Sequence, residues 1–309
     1  MQALYSFLQS ENEEADNAER QLKKSIEKLY ELFIFQLSIC TELVDFAANR
    51  FEDAKLKFFP TADELSPNTK FIDNQFIKLL SQNIDFRRKI EYYSINWSND
   101  IEFIRKLFQQ IKESKVYQEY IASDNINLQE DIHFFKTIYK KHIFTSEILQ
   151  SICEEHSIYW VDDFDTAAVF VIKFIDSVGT AFDSSTLLPT LFKSDGTDEK
   201  NEDELFVKNL FRKTFVNSNR FDSLIAEALK NWELERIALM DIILIKMALC
   251  EFIDFPSIPV KVTMNEYIEI AKMYSTPRSS IFVNGILDKL VVDLKNQKKI
   301  VKIGRGLME

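Results

Sequence analysis

A chain of 309 residues has room for roughly one to three domains and a sizeable core. Gly 5 and Pro 6 are low for that length, which excludes an all-β or Rossmann design and predicts long helices with few tight turns. The net charge of −11 argues, on average, against a nucleic-acid partner, and Phe 27 predicts aromatic-rich helix packing.

Met1–Gln9 reads as a helix, with Met1, Leu4 and Leu8 on one face and Gln2, Tyr5 and Gln9 on another. A long amphipathic helix follows over about Ala18–Phe58, ended by Pro60, and Pro60–Asn74 reads as a connector. Shorter helices are predicted over Gln75–Gln82, Asp85–Tyr93, Asn99–Lys115, Gln129–His142, Ser146–Glu155 and Asp163–Val178, with Ser98-Asn99-Asp100 as a capping signal. The stretch Asp183–Glu204 holds Pro189, Gly196 and an acidic run (Asp195, Asp198, Glu199, Glu202, Asp203, Glu204) and reads as a linker or loop. From Leu205 the pattern is helical to about Asn296, interrupted near Asn217–Asn219, Asn231, Phe255–Pro259 and Tyr274–Pro277.

Charge is unevenly placed. Asn231–Glu309 carries eleven Lys/Arg against ten Asp/Glu, so the first 230 residues hold −12, and six basic residues face two acidic ones from Lys289 onward. A basic patch acts locally despite a negative total, because salt screens charges beyond about 8–10 Å. Cys40, Cys153 and Cys250 are odd in number and far apart, and read as buried free thiols of a reducing compartment. Cys153 and His156 sit three apart, but two ligands do not make a zinc site. The apolar stretch Leu32–Cys40 is too short for a bilayer, which takes about 20 residues, and no signal peptide is recognisable. A cytoplasmic protein is expected, with no membrane association, no metal and no cofactor.

Nothing in the chain suggests catalysis. His133, His142 and His156 lack an accompanying nucleophile or paired carboxylate, and the isolated glycines build no phosphate loop. The informative surfaces lie near the C-terminus. Thr276-Pro277 fits an N-cap with proline at the first helical position. Val283, Ile286, Leu287, Leu290 and Leu294 then form a core stripe, while Arg278, Phe282, Gly285 and Lys289 share a flank. That flank reads either as a base-stacking platform or as a packing surface in which Gly285 admits a neighbouring backbone. On the preceding helix Val260, Met264, Tyr267, Ile268 and Ala271 face the core. Lys261, Asn265 and Lys272 share a flank that is either solvated or in contact with phosphate. Leu239–Leu249 is apolar nearly all round and should be central, yet it carries Asp241 on an apolar face. A buried carboxylate there needs a partner inside the fold, a helix start, or a cation on another protein.

Three blocks carry a resemblance: Ile258-Pro-Val-Lys-Val-x-x-Asn-Glu-x-Ile-Glu-Ile-Ala-Lys272, Phe282-Val-Asn-Gly-Ile-Leu-Asp-Lys289 and Asp241-Ile-Ile-Leu-Ile-Lys-Met-Ala-Leu-Cys-Glu251. Together with Met1-Gln-Ala-Leu-Tyr-Ser6 they resemble the NusB transcription antitermination family over residues 1–10 and roughly 203–296. The resemblance implies an all-α, NusB-like bundle of two small helical subdomains and no enzyme activity. It implies binding of boxA RNA of ribosomal leader transcripts together with NusE, a small-subunit ribosomal protein, within the RNA polymerase antitermination complex. Family RNA-contact positions carry over to Gln2, Tyr5 and Phe282, and Asp241 takes an acidic position facing NusE. Lys272, Arg278 and Lys289 complete the expected RNA flank, with Lys295–Arg305 as an electrostatic aid.

Three departures accompany the resemblance. The family has an arginine-rich stretch ahead of Gln-Ala-Leu-Tyr, whereas this chain starts at Met1 within the corresponding helix; the expectation is a truncated arm and weaker RNA binding than a longer form would show. About 190 residues separate the first helix from the rest, and Arg278 stands where the family carries an acidic residue. The expected layout is residues 1–12 as first helix, 13–200 as an acidic helical insertion (part of 14–58 joining the bundle), 201–296 as the NusB-like domain and 297–309 as a basic tail. The alternatives are a helical interaction scaffold whose acidic insert binds a basic partner, and the NusB-like domain of an RNA cytosine methyltransferase, for which the chain leaves no catalytic domain downstream. The sequence leaves homodimer formation open.

Overall fold

A computed structural model describes residues 1–10, 14–55, 68–192, 202–229 and 237–307. Among them every regular element is helical. The helices are α1 (Gln2–Gln9), α2 (Ala15–Lys55), α3 (Gln75–Gln82), α4 (Ile84–Tyr92), α5 (Ile101–Glu113), α6 (Lys115–Ala122) and α7 (Leu128–Ile138). They continue with α8 (Glu147–His156), α9 (Phe164–Ser177), α10 (Glu202–Val216), α11 (Ser218–Leu229), α12 (Leu239–Asp254), α13 (Val260–Tyr274) and α14 (Ser279–Asn296). The expected connector residues Pro60 and Pro67, the acidic residues Asp195, Asp198 and Glu199, and the interruption at Asn231 lie outside the described residues.

The chain divides into two compact units, Met1–Lys23 with Phe192–Glu309, and Lys24–Leu191. The second unit is built on aromatic side chains. Phe71 is 1% exposed and meets the rings of Phe108, Tyr117, Phe134 and Phe135 at 5.6–6.0 Å. Phe35 stacks on Trp97 at 4.3 Å, and the Trp97 indole donates to Ser38 Oγ at 2.8 Å. One buried amide is used at both its nitrogen and its oxygen. Fully buried Gln36 donates to the Phe164 carbonyl at 3.1 Å and accepts from the Tyr139 hydroxyl at 2.7 Å, linking three helices at no desolvation loss.

Short polar side chains set the helix starts. Asn74, Asn83, Ser114, Asn127 and Ser146 each accept from a backbone N–H in the following first turn. Ser114 also ends α5, so a helix expected to run unbroken through Lys115 stops there and α6 begins. The Ser98–Asp100 capping signal is corrected: those residues form a 3₁₀ turn, and Asn96 Oδ1 takes the Ser98 N–H at 2.7 Å. The expected linker is corrected at both ends. Residues 183–191 are pinned to α4, with Leu188 N donating to Asp85 and Asn83 donating to two carbonyls. Glu202, Asp203 and Glu204 form the first turn of α10, where the helix dipole favours acidic groups.

The other unit is layered around α12, buried from Ile243 through Phe252, as an all-round apolar helix must be. α13 and α14 pack on it and on one another, and α1 and α10 pack on it as well. The apolar face of α1 is corrected from Leu4–Leu8 to Leu4–Phe7: Leu4 is 1% exposed and Phe7 meets Phe211 and Phe215, whereas Leu8 is 38% exposed. The first turns of α2 join this unit through Ala18, Leu22 and Glu19. Burial raises the Glu19 carboxyl, but hydrogen bonds and charge from Lys208 and Arg212 outweigh it and hold the carboxyl below its ordinary range. Cys40, Cys153 and Cys250 are free and buried, their thiols pushed up to about 12 by burial. His156, three residues from Cys153, instead stacks on Trp160 and lies 3.5 Å from the Asp100 carboxylate.

Candidate nucleic-acid interface

The first turn of α12 and the turn between α13 and α14 meet at one buried carboxylate. Asp241 is 4% exposed. Its Oδ1 accepts from Ser275 Oγ at 2.6 Å and its Oδ2 from Ser279 Oγ at 2.7 Å. Thr276 Oγ1 lies 2.8 Å from Ser279 Oγ, so two hydroxyls of the turn hold the acid and a third joins them through Ser279. The fold therefore supplies the internal partners that a buried Asp241 needs, at a helix start where a negative charge is favoured.

This network fixes where α14 begins. The sequence predicted Thr276 as N-cap and Pro277 as first helical residue; the helix starts instead at Ser279 behind Arg278. Pro277 and Arg278 occupy a turn closed by the Ser279 N–H on the Thr276 carbonyl at 2.9 Å. Arg278 and Phe282 then stand one helical turn apart beside a pocket of 300 Å³, lined also by Ile237, Ala238, Asp241, Thr276 and Ser279. Arg278 is exposed and has no ion-pair partner among the described residues. Phe282 is half-buried, its ring packed partly on the core.

Gly285, one turn further, is exposed, and a Cβ there would meet nothing within 4 Å among the described residues. The reading in which Gly285 admits a neighbouring backbone of this chain is therefore corrected. Lys289, expected on the same flank as a phosphate contact, is placed differently. It is half-buried and its ammonium donates to the Ala228 carbonyl in the last turn of α11, which neutralises an orphan acceptor at that helix end. Lys272 is exposed on α13 and pairs with Glu269 at 2.6 Å. Gln2 and Tyr5 are exposed on α1, Tyr5 by 40%. The structure thus gathers Asp241, Arg278 and Phe282 at one pocket, keeps Lys272 on α13 and Gln2 and Tyr5 on α1, and draws Lys289 into the fold.

Four of the five residues expected in the core stripe of α14, Val283, Leu287, Leu290 and Leu294, are no more than 2% exposed, and the fifth, Ile286, is half-buried against the core. On α13 Tyr267 and Ala271 are buried, but fully buried Thr263, rather than Ile268, completes the inner face. Its hydroxyl donates to Glu251 at 2.9 Å and the Tyr267 hydroxyl donates to the same carboxylate at 2.6 Å. Burial raises the Glu251 carboxyl against the pull of those two hydrogen bonds and of Lys302. The basic C-terminal tail is partly drawn onto the fold, while Lys295, Lys298, Lys299 and Arg305 stay exposed. Lys302 donates to the carbonyls of Glu251 and Phe255, and the Ile303 N–H donates to Pro256 O at 3.0 Å. Gly306 is packed so tightly that a Cβ would lie 2.0 Å from the same Pro256 oxygen. The segment therefore docks on the α12–α13 loop. No sequence periodicity marks these contacts, because each depends on residues that only the tertiary fold brings together.

Comparison with known proteins identifies the surroundings of this site. The NusB family model matches residues 169–291. The transcription antitermination protein NusB of Salinibacter ruber is 44% identical over 111 residues, covering 36% of this chain and 69% of that protein. The NusB of Chloroherpeton thalassium is 41% identical over 104 residues, 34% of this chain and 49% of that protein. The NusB of Koribacter versatilis is 34% identical over 108 residues, 35% of this chain and 74% of that protein. No solved structure matches the chain. The matched span takes in α10–α13 and most of α14, including Asp241, Ser279, Arg278 and Phe282, and the chain belongs to the NusB family.

Proposed function

We propose that this chain is an RNA-binding transcription antitermination factor that takes up a boxA-type leader RNA together with a NusE-type ribosomal protein. The observation that carries the reading is the pairing of exposed Arg278 with half-buried Phe282 at an open pocket on the α14 start. A cation beside an aromatic face suits a phosphate and a stacked base at successive nucleotides. Exposed Gln2 and Tyr5 on α1 and Lys272 on α13 extend the set within the same unit. Lys289 contributes through the fold, by capping α11, and Asp241 contributes by holding the turn that presents Arg278 and Phe282. A ribosomal-protein partner would meet the Asp241 end of α12 from outside.

Filter binding of a boxA RNA and a scrambled RNA, each with and without the NusE-type partner, tests the reading. Preference for boxA that strengthens with the partner is expected. Equal retention of the two RNAs, with the partner present and in a form extended upstream of Met1, rejects it.

A second reading gives the Lys24–Leu191 unit a basic protein partner. Glu42 and Asp45 line a 390 Å³ pocket with Arg87 and Trp97 and make no ion pair among the described residues. Burial raises both carboxyls, and at Glu42 the neighbouring Asp45 adds to it. Pull-down with the full chain and its Glu42→Gln/Asp45→Asn variant distinguishes this reading: a basic protein retained by both forms counts against it.

A further inference from the structure

We propose that the pocket between the start of α13, the second half of α14 and the returning C-terminal segment binds a small organic anion with an apolar body, of the medium-chain carboxylate class. The pocket measures 460 Å³, within the range of about 300–1,000 Å³ common for small-molecule sites. Met264, Val291 and Ile300 give it apolar walls, and Lys261, Lys295 and Lys302 are the basic residues of its lining. None of its lining residues is acidic.

The charge balance around the pocket is uneven. Lys302 directs its ammonium at the Glu251 and Phe255 carbonyls. Glu251, whose charge acts on Lys302, is buried and already holds the hydroxyls of Thr263 and Tyr267. Lys261 and Lys295 are exposed and make no ion pair among the described residues. α13 starts behind Pro259 with neither a side-chain cap nor an acidic residue in its first turn, so its dipole adds positive potential at the same end. Among the described residues, therefore, the partly apolar space is bordered by basic side chains and by no acidic one. An anionic head relieves their mutual repulsion, and an apolar tail takes the walls out of water.

The pocket lies away from the Phe282 flank. Lys295 is thirteen residues beyond Phe282, which at the α-helical period sets it about 140° round α14. The proposal therefore stands independently of the RNA reading. It also has a rigid wall, because Gly306 and Ile303 anchor the returning segment on Pro256.

Titration calorimetry of the full chain with decanoate, kept below its micellar concentration, tests the proposal. Butyrate provides the head without the body, and decyltrimethylammonium the body with the opposite charge. Saturable one-to-one binding of decanoate is expected, at least about tenfold tighter than either control. Lys261→Glu/Lys295→Glu should weaken decanoate at least about tenfold, whereas Lys272→Glu should not. Met264→Trp, which fills the pocket and leaves every lysine in place, should abolish binding and guards against a double variant that fails to fold. Absence of saturable decanoate binding, or equal binding of the quaternary ammonium, overturns the proposal. So does loss of RNA rather than of decanoate in Lys261→Glu/Lys295→Glu, which would assign these lysines to a nucleic-acid track.

Discussion

Ser279 Oγ donates a 2.7 Å hydrogen bond to Asp241 Oδ2, and this contact ties the first turn of α14 to the first turn of α12. Both groups are buried, so the bond is shielded from water. Phe282 lies three residues beyond Ser279 on the same helix, and its position follows from that anchor.

Asp241→Ala leaves the buried Ser279 hydroxyl and the half-buried Ser275 hydroxyl without their acceptor and should destabilise the fold by about 1–3 kcal/mol in urea unfolding. Asp241→Asn keeps the shape and should be milder. If Asp241 positions the α14 start, both variants weaken RNA binding even without a protein partner. A variant of unchanged stability that loses only the partner would place Asp241 at a protein interface instead.

Phe282→Ala should weaken RNA binding by about 1–3 kcal/mol, the scale of one lost base stack, and also lower stability somewhat, because the ring packs partly on the core. Arg278→Ala should lower the slope of log affinity against log salt by about one, since one phosphate contact disappears. Lys289→Ala should behave in the opposite way. It exposes the α11 end, lowers stability by about 0.5–1.5 kcal/mol and leaves the salt slope intact. Filter binding over a salt series, with a thermal melt for each variant, separates the three.

Two glycines should respond oppositely to alanine. Gly285 sits inside α14 with open space about it, so Gly285→Ala should stabilise by about 1 kcal/mol through helix propensity. Gly306→Ala forces a methyl group onto the Pro256 carbonyl and should cost about 1–3 kcal/mol. If RNA passes close over Gly285, Gly285→Leu should weaken its binding while the fold stays intact. Calorimetric melting and RNA titration of the same preparations give both answers.

Glu251 sets a pH dependence. Its carboxyl is raised above the ordinary glutamate value of 4.5, chiefly by burial. Between 4.5 and the folded-state value the folded chain therefore binds more protons than the unfolded chain, and stability falls as pH rises through that window. Glu251→Gln should remove that fall, giving a flatter stability profile above pH 4.5. Glu19 works in the other sense: its carboxyl is lowered, so the stability it confers is present above 4.5 and is lost as pH falls through the folded value. Urea melts of the original chain, Glu251→Gln and Glu19→Gln over a pH series check both signs.

Much of this protein was legible in its residues. Scarce glycine and proline, with periodic apolar spacing, determined an all-helical chain, the central helix around Leu244 and the inner stripe of α14, because burial of a helix face acts at the helix's own period. The three buried cysteines and the family blocks were legible for the same reason: they are local patterns. Tertiary structure alone decided what the polar groups do. Asp241 needed a hydrogen-bond partner that its own helix does not supply; Ser275 and Ser279, more than thirty residues later, meet it. Lys289 shares a helical flank with Phe282, yet a carbonyl at the end of α11 claims it. The basic C-terminal stretch docks because Gly306 leaves room for Pro256. Helical periodicity says which residues share a face, but a hydrogen bond needs two groups within about 3 Å, and that distance is set only when separate helices pack.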